Sequence, residues 1–225
     1  MRLPRITALL LALAASPALA IDSAPDESAE DEKESDSYIP NRFAITAHGE
    51  WAHFIQASDV EDSGGGGLRV GFRVNRWAEL DAGADFYQTN LSARSYDGDK
   101  TDLGRLRYYA FYAELRVDIT NIDKVIPWPW PWCRPILLGG AGFGVRDLRE
   151  EVDPPVKLKG RRSGVIVRGG AALEFGAPDS RVTFGAEWIY TWVGNDVRVS
   201  DPLGRYSSKL NLDYWTVGVY VVLRF

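Results

Sequence analysis

From residue 41 to the end of the chain, apolar and polar positions alternate with a period of two. The clearest example is the last stretch. One face carries Trp215, Val217, Val219, Val221, Leu223 and Phe225, and the other carries Thr216, Gly218, Tyr220, Val222 and Arg224. Because successive side chains of a strand point to opposite faces, this pattern predicts a β-strand with one apolar side. Taken alone, the stretch is also compatible with an ordinary buried strand at a chain end.

The same alternation predicts seven further strands, so the sequence predicts eight in all. Their approximate bounds, with the last strand included, are 43–55, 68–74, 79–86, 108–118, 136–145, 165–175, 182–190 and 215–225. Each can supply the roughly 9–11 residues of a tilted strand that crosses a membrane. The sequence therefore predicts an all-β protein, an eight-stranded antiparallel barrel.

The predicted connections alternate in character. The glycine run 64–67 and the polar stretches 90–104, 147–163 and 194–211 are predicted to be flexible loops, whereas short turns are predicted at 75–76 and 177–180. The prolines of segment 121–135 predict that it contains no central strand. Long loops at one end and short turns at the other are typical of outer-membrane barrels.

The charged residues of the predicted strands fall opposite the apolar set, whereas a soluble barrel has its apolar face inside. This predicts an apolar exterior that faces lipid and a charged lumen. Because eight strands leave room only for side chains, we expect a salt-bridged plug. Its predicted members are Glu50, Arg73, Glu79, Asp81, Glu114, Arg116, Arg168, Glu174, Glu187 and Arg224, and Arg69, Asp85 and Asp118 lie on the same face.

The first 37 residues differ from the rest of the chain. Residues 1–20 are predicted to be a signal peptide, with Arg2 and Arg5 before an apolar run that is too short to be a membrane helix. Residues 21–37 are predicted to be disordered, because 22–37 contribute −7 to the net charge of −5 and contain no aromatic residue. This segment is either a periplasmic interaction tail or a solvated linker. The rest of the mature chain is neutral, which gives no electrostatic basis for a nucleic-acid partner.

The leader, the strand pattern and the C-terminal strand together resemble the small bacterial outer-membrane β-barrel family, the type of the outer membrane protein A transmembrane domain and of outer membrane proteins X and W. The resemblance covers residues 38–225. It implies a location in the cell outer membrane, with membrane lipid and lipopolysaccharide as partners. It also implies that the face from Trp215 to Phe225 is a signal for the barrel-assembly machinery. No peptidoglycan-binding domain is expected after the barrel.

Candidate chemistry is sparse. Some small outer-membrane barrels modify lipid A with a His, a Ser and an acid, and His48 could form a pair with Glu50 that orients a base. His53 is expected at the rim or facing lipid, and neither histidine lies in a Ser-flanked motif of that kind. We therefore predict a non-enzymatic protein with no catalytic residue, no cofactor and no metal site.

Two segments are candidate contact surfaces. Trp128, Trp130 and Trp132 alternate with prolines and predict either a periplasmic interface or an interfacial belt. The basic cluster 157–162 could meet lipopolysaccharide phosphates or an anionic host surface, or be a solvated loop. Cys133, which directly follows Trp132, is either a free thiol or paired between molecules. The sequence thus favours a role in envelope structure or surface interaction, with a small channel or carrier as the alternative and a lipid A enzyme as a third hypothesis.

Overall fold

The computed structural model describes residues 41–55, 60–94, 100–120, 130, 132–150, 157–159, 163–177, 180–194, 197–200, 207–210 and 212–225. The predicted signal peptide, the acidic segment and Trp128 lie outside these residues. Within them, the strands are β1 Phe43–Phe54, β2 Ser63–Arg73, β3 Ala78–Arg94, β4 Lys100–Asp118, β5 Cys133–Glu150, β6 Lys157–Lys159, β7 Ser163–Phe175, β8 Val182–Val193, β9 Val197–Ser200, β10 Ser207–Leu210 and β11 Tyr214–Arg224. The described residues contain no helix long and apolar enough to span a membrane.

Eight of these strands close into an antiparallel barrel in the order β1-β11-β8-β7-β5-β4-β3-β2. Closure occurs between the first and last strands, where β1 pairs with β11 from Ala44–Arg224 to Phe54–Tyr214. On its other edge β1 pairs with β2, so every barrel strand has two neighbours. The predicted eight-stranded antiparallel barrel is confirmed.

We call the end of the barrel that carries the connections after β1, β3, β5 and β8 the loop end, and the opposite end the turn end. At the loop end, the short strands β6, β9 and β10 form a second, three-stranded antiparallel sheet. Strand β6 belongs to the connection between β5 and β7, and β9 and β10 belong to the connection between β8 and β11. The segments 147–163 and 194–211, predicted as loops, therefore contain strands.

Side chains alternate between a buried interior and an exposed exterior along each barrel strand. Strand β8 does so at every position from Val182 to Val193. The exposed set is apolar: Val219 is 67% exposed, Leu68 60% and Phe184 58%. The interior set includes many charged side chains that are almost completely buried. An exterior that is apolar over most of its height suits hydrocarbon and not water.

The glycine run 64–67 was predicted to be a loop, and this prediction is wrong because the run forms the first half of β2. Two of its members face neighbours that fill the interior. A Cβ on Gly65 would lie 2.2 Å from Tyr87 Cδ1, and one on Gly67 would lie 2.2 Å from the Ala84 carbonyl oxygen. The absence of a side chain at these positions lets β2 lie close to β3 beside bulky lumen side chains. Strand β2 therefore extends through the glycine run.

The predictions for segments 90–104 and 121–135 also need correction. Strand β3 continues to Arg94 and β4 starts at Lys100, since their pairing extends beyond the apolar belt into polar residues. Pro135 lies inside β5, opposite Leu173 of β7. Proline is accommodated there because the pairing of β5 with β4 begins only at Ile136, so that no donor is needed from Pro135 on that side.

Candidate functional site

The middle of the lumen is crossed by Arg69 of β2. Its guanidinium is fully buried and donates to Glu114 Oε1 of β4 at 3.0 Å and to both carboxylate oxygens of Glu187 of β8 at 2.9 and 3.0 Å. Three strands from different sides of the barrel are thereby connected through one side chain. A buried charge is tolerated only when it is paired. The ion pairs of Arg69 therefore fill the middle of the lumen and also hold the three strands together.

Arg168 of β7 forms a second crossing. Its Nη1 donates to Asp85 Oδ2 at 2.8 Å, and its Nε lies 3.2 Å from Glu114 Oε2. The guanidinium carbon lies 3.6 Å from the centre of the Tyr112 ring, a cation–π contact. Glu114 is therefore shared between Arg69 and Arg168, and the two crossings form one network.

Arg116 of β4 is held more loosely. Its nitrogens lie 3.6 Å from Glu187, 3.8 Å from Asp81, 3.9 Å from Glu114 and 4.0 Å from Glu174. Neither terminal nitrogen makes a hydrogen bond to a described residue. Arg116 thus has several carboxylates within reach and is fixed by none of them.

At the turn end, Glu174 of β7 accepts hydrogen bonds from Arg134 of β5 and Arg224 of β11. Arg224 also lies 3.7 Å from Glu79, which is 3.8 Å from Arg73. These side chains leave a cavity of about 20 Å³, room for about one water molecule. The turn end is therefore closed by ion pairs.

At the loop end of the lumen, aromatic rings form most of the filling, and Arg146, opposite Tyr108, is buried there as well. Tyr87, Tyr108 and Tyr214 are almost completely buried, with ring centroids 5.4 to 6.3 Å apart. Phe54 adds a fourth ring, 5.5 Å from Tyr214. Leu91, Leu106, Ile166 and Val193 belong to the same buried cluster. We call this cluster the tyrosine layer.

His48 of β1 lies between the tyrosine layer and the ion pairs. Its Nε2 is 2.8 Å from Asp85 Oδ1 and 3.0 Å from Glu50 Oε1. Tyr87 donates its hydroxyl hydrogen to Glu50 Oε2 at 2.7 Å, and Tyr112 donates to Asp85 Oδ1 at 2.8 Å. His53, in contrast, lies at the loop-end rim and is paired with Asp62 at 2.8 Å, where both side chains are exposed.

The structure places all of the residues assigned to the lumen charge network inside the barrel, and brings them into contact with one another as described above. Sequence reasoning missed Arg134, because the proline-rich segment around it was not assigned to a strand. It also did not pair His48 with Asp85. Alternation predicts that both face inward, but not that they lie at the same height.

The other candidate residues lie outside the lumen. Val217, Val219, Val221, Leu223 and Phe225 are exposed on the outer face of β11, and Trp215 is half-buried there. Trp130 and Trp132 are exposed at the turn end with ring centroids 6.3 Å apart, and Trp132 stacks on Phe175. Cys133 is buried at the start of β5.

Comparison with known proteins was informative only at the level of structure. No protein-family model matches the chain, and neither does any curated protein sequence. The structure is similar to that of the outer membrane protein OprG from Pseudomonas aeruginosa, with a TM-score of 0.62 at 10% identity over 83% of this chain and 96% of that one. It is also similar to Neisserial surface protein A (NspA), with a TM-score of 0.57 at 13% identity over 81% of this chain and 97% of that one.

These similarities confirm that the fold is that of the small outer-membrane β-barrels, as the resemblance in the sequence implied. The predicted outer-membrane location is supported by the same findings. Sequence identities of 10% and 13% show the fold of the chain and not its function.

Proposed function

We propose that the protein is a non-enzymatic outer-membrane barrel with a closed lumen, which acts at the cell surface through its loop end. The observation that carries the proposal is the filling of the lumen. The Arg69 and Arg168 crossings connect β2, β3, β4, β7 and β8 by buried ion pairs, and the tyrosine layer covers them. A lumen built in this way serves as a rigid support for the loops, which is where scaffold proteins carry binding residues.

The apolar exterior supports a membrane location. Its exposed residues include aromatic side chains near both ends of the strands, as in the interfacial girdles of outer-membrane barrels. Such side chains are Trp51, Trp77, Trp188, Trp192 and Phe225. The turn-end connections between β2 and β3 and between β7 and β8 are short, so we infer that the loop end faces the exterior of the cell and the turn end faces the periplasm. Lipid and lipopolysaccharide are then the surroundings of the belt, and the outer face of β11 is the segment that the barrel-assembly machinery would read.

The sheet formed by β6, β9 and β10 is the strongest candidate for a contact surface. Its three strands contain Lys157, Lys159, Arg198 and Lys209 and no acidic residue. The register places Lys159 opposite Arg198, and Arg198 opposite Lys209, so that three cationic residues form a row across the sheet. Like charges at neighbouring register positions are unfavourable unless an anion lies between them. We infer that this sheet meets phosphate groups of lipopolysaccharide.

An enzymatic role has little support from the geometry. The pair of His48 and Glu50, the one catalytic arrangement that the sequence suggested, is completely buried beneath Tyr87. A lipid substrate on the outer face of the barrel has no direct route to these side chains.

The proposal is tested by changing the cationic row. The variant Lys159→Gln/Arg198→Gln/Lys209→Gln, reconstituted in nanodiscs, is expected to bind lipopolysaccharide about tenfold more weakly than the wild type. Three surface contacts of about 0.5 kcal/mol each account for that factor. The matched control is Arg42→Gln/Arg76→Gln/Arg181→Gln, which removes the same charge at the turn end. Equal affinities of all three proteins would refute the proposed contact.

A gated channel is the second candidate function, and the observation that favours it is the loose contact of Arg116. A guanidinium with four carboxylates within 4.0 Å can change partners without leaving a charge unpaired. Such an exchange would open a small passage transiently past the ion pairs.

A further inference from the structure

We propose that His48, Glu50 and Asp85 form a binding site for one divalent cation of the zinc type. One atom from each of the three residues lies within 4.8 Å of the others. The site lies inside the barrel, and neither the support of the loops nor the binding of lipopolysaccharide uses it. His48 and Glu50 lie two residues apart on β1, and Asp85 comes from β3, across β2.

The first argument is that one nitrogen atom faces two carboxylates. Nε2 of His48 lies 2.8 Å from Asp85 Oδ1 and 3.0 Å from Glu50 Oε1. An imidazole nitrogen carries at most one hydrogen, and the hydrogen bond is made to Asp85. Glu50 Oε1 is then left buried without a hydrogen-bond partner among the described residues. A cation bound to Nε2 would satisfy Glu50 Oε1 and would also meet Asp85 Oδ1, which already accepts a hydrogen bond from Tyr112.

The second argument is that each carboxylate is already oriented. Glu50 is held through Oε2 by the Tyr87 hydroxyl at 2.7 Å, which leaves Oε1 directed at His48. Asp85 is held through Oδ2 by Arg168 and through Oδ1 by the Tyr112 hydroxyl, both at 2.8 Å, and Oδ1 is also directed at His48. Hydrogen bonds from surrounding residues that fix carboxylate ligands in this way are a regular feature of metal sites in proteins, whereas His48 Nδ1 makes none to a described residue.

The third argument concerns space and distance. A Cβ on Gly67 would lie 2.6 Å from Asp85 Oδ1 and 2.8 Å from His48 Nε2, so that a side chain at this position would crowd both ligand atoms. Zinc with bonds of about 2.0–2.1 Å holds tetrahedral ligands about 3.3 Å apart. The present separations of 2.8 and 3.0 Å are therefore a few tenths of an ångström from those of a zinc site.

The charge of the lumen points the same way. The buried acids of the described residues are Glu50, Glu79, Asp81, Asp85, Glu114, Asp118, Glu174, Glu187 and Asp213. The buried arginines are Arg69, Arg116, Arg134, Arg146, Arg168 and Arg224. With His48 neutral, these buried groups carry a formal charge of −3. One divalent cation would reduce this excess, and a buried excess of charge is otherwise costly.

The test is to refold the full chain from denaturant into detergent micelles with zinc present, so that the ion enters before the lumen closes. Free metal is removed with a chelating resin and by gel filtration. The metal that remains bound is then measured by mass spectrometry. We expect about one zinc ion per wild-type chain, and at least a tenfold loss in both His48→Gln and Glu50→Gln. The matched control is His53→Gln, which removes the rim histidine and is expected to retain the ion.

Folding of each variant is verified by heat-modifiable migration on gels. The absorption spectrum of the cobalt-loaded wild type provides a second readout, since tetrahedral coordination gives intense visible bands. A folded wild type that retains no metal would overturn the proposal. Retention of the ion in folded His48→Gln would overturn it equally, since the ion would bind elsewhere.

Discussion

The two halves of the lumen exclude water by different means. Toward the loop end, the rings of Tyr87, Tyr108 and Tyr214 pack against one another and against aliphatic side chains. From the middle of the barrel to the turn end, space is filled by guanidinium and carboxylate groups at distances of 2.8 to 4.0 Å. The aromatic half depends on shape and on burial of apolar area, whereas the charged half depends on each charge keeping its partner.

This difference has consequences for mutation. A truncated ring in the tyrosine layer leaves a cavity, and the cost is limited to lost packing. A removed arginine deprives buried carboxylates of their nearest counter-ion, and the cost includes their desolvation. We therefore expect side-chain truncation to lower the stability more in the charged half than in the aromatic half. In the charged half, neutralising the partner residues should restore part of the stability, whereas no such change fills a cavity.

The largest effect is expected for Arg69→Ala. Loss of the guanidinium removes the hydrogen bonds to Glu114 and Glu187, and should lower the free energy of unfolding by about 3–5 kcal/mol. Urea titration of the barrel in lipid vesicles measures this change. The matched rescue is Arg69→Met/Glu187→Gln, which should recover part of the loss because the two members of the bidentate pair are neutralised together while Glu114 keeps Arg168. A loss below about 1 kcal/mol in Arg69→Ala would mean that the pairs do not stabilise the barrel.

An intermediate effect is expected for Tyr214→Ala in the tyrosine layer. The ring contacts Phe54, Tyr87 and Tyr108, so truncation should cost about 3 kcal/mol through the cavity that it leaves. The same urea titration applies. Because packing is not screened by ions, the loss should be the same at low and high salt. A loss that changes markedly with salt would contradict the assignment of this half to apolar packing.

The smallest effect is expected for Tyr87→Phe, at the boundary between the two halves. The ring stays in the tyrosine layer, but the hydrogen bond to Glu50 is lost, which should cost about 1–2 kcal/mol. The matched control is Tyr220→Phe, since the buried Tyr220 hydroxyl makes no hydrogen bond to a described residue. That control should change stability by less than about 0.5 kcal/mol. Equal losses in the two variants would show that the bond to Glu50 contributes nothing.

The sequence was sufficient to predict the fold, because alternation with a period of two is a direct consequence of strand geometry. It assigned Arg69, Glu114 and Glu187 to one face and Val217 and Val219 to the other. It did not predict which inward residues meet. The contact of Asp85 with His48 and the sharing of Glu114 between two arginines depend on the stagger of neighbouring strands, which alternation leaves open.

The remaining errors arose from residues whose local preference was overridden by their neighbours. The glycines at 65 and 67 are weak strand formers, yet they extend β2 because Tyr87 and the β3 backbone occupy the space of a side chain. Pro135 lies in β5 because it precedes the pairing with β4, and with it the neighbouring Arg134 enters the lumen. Local composition gave no signal for either arrangement.

The central claim is that the lumen is closed, and single-channel recording tests it most directly. The wild-type barrel is refolded into a planar bilayer and the current is recorded across a range of voltages, with its folded state verified beforehand. We predict no discrete conductance from the folded barrel, because the Arg69 and Arg168 crossings and the tyrosine layer together leave no aqueous path. Steady, discrete openings of the wild type would contradict the closed lumen and would make the gated channel the better account.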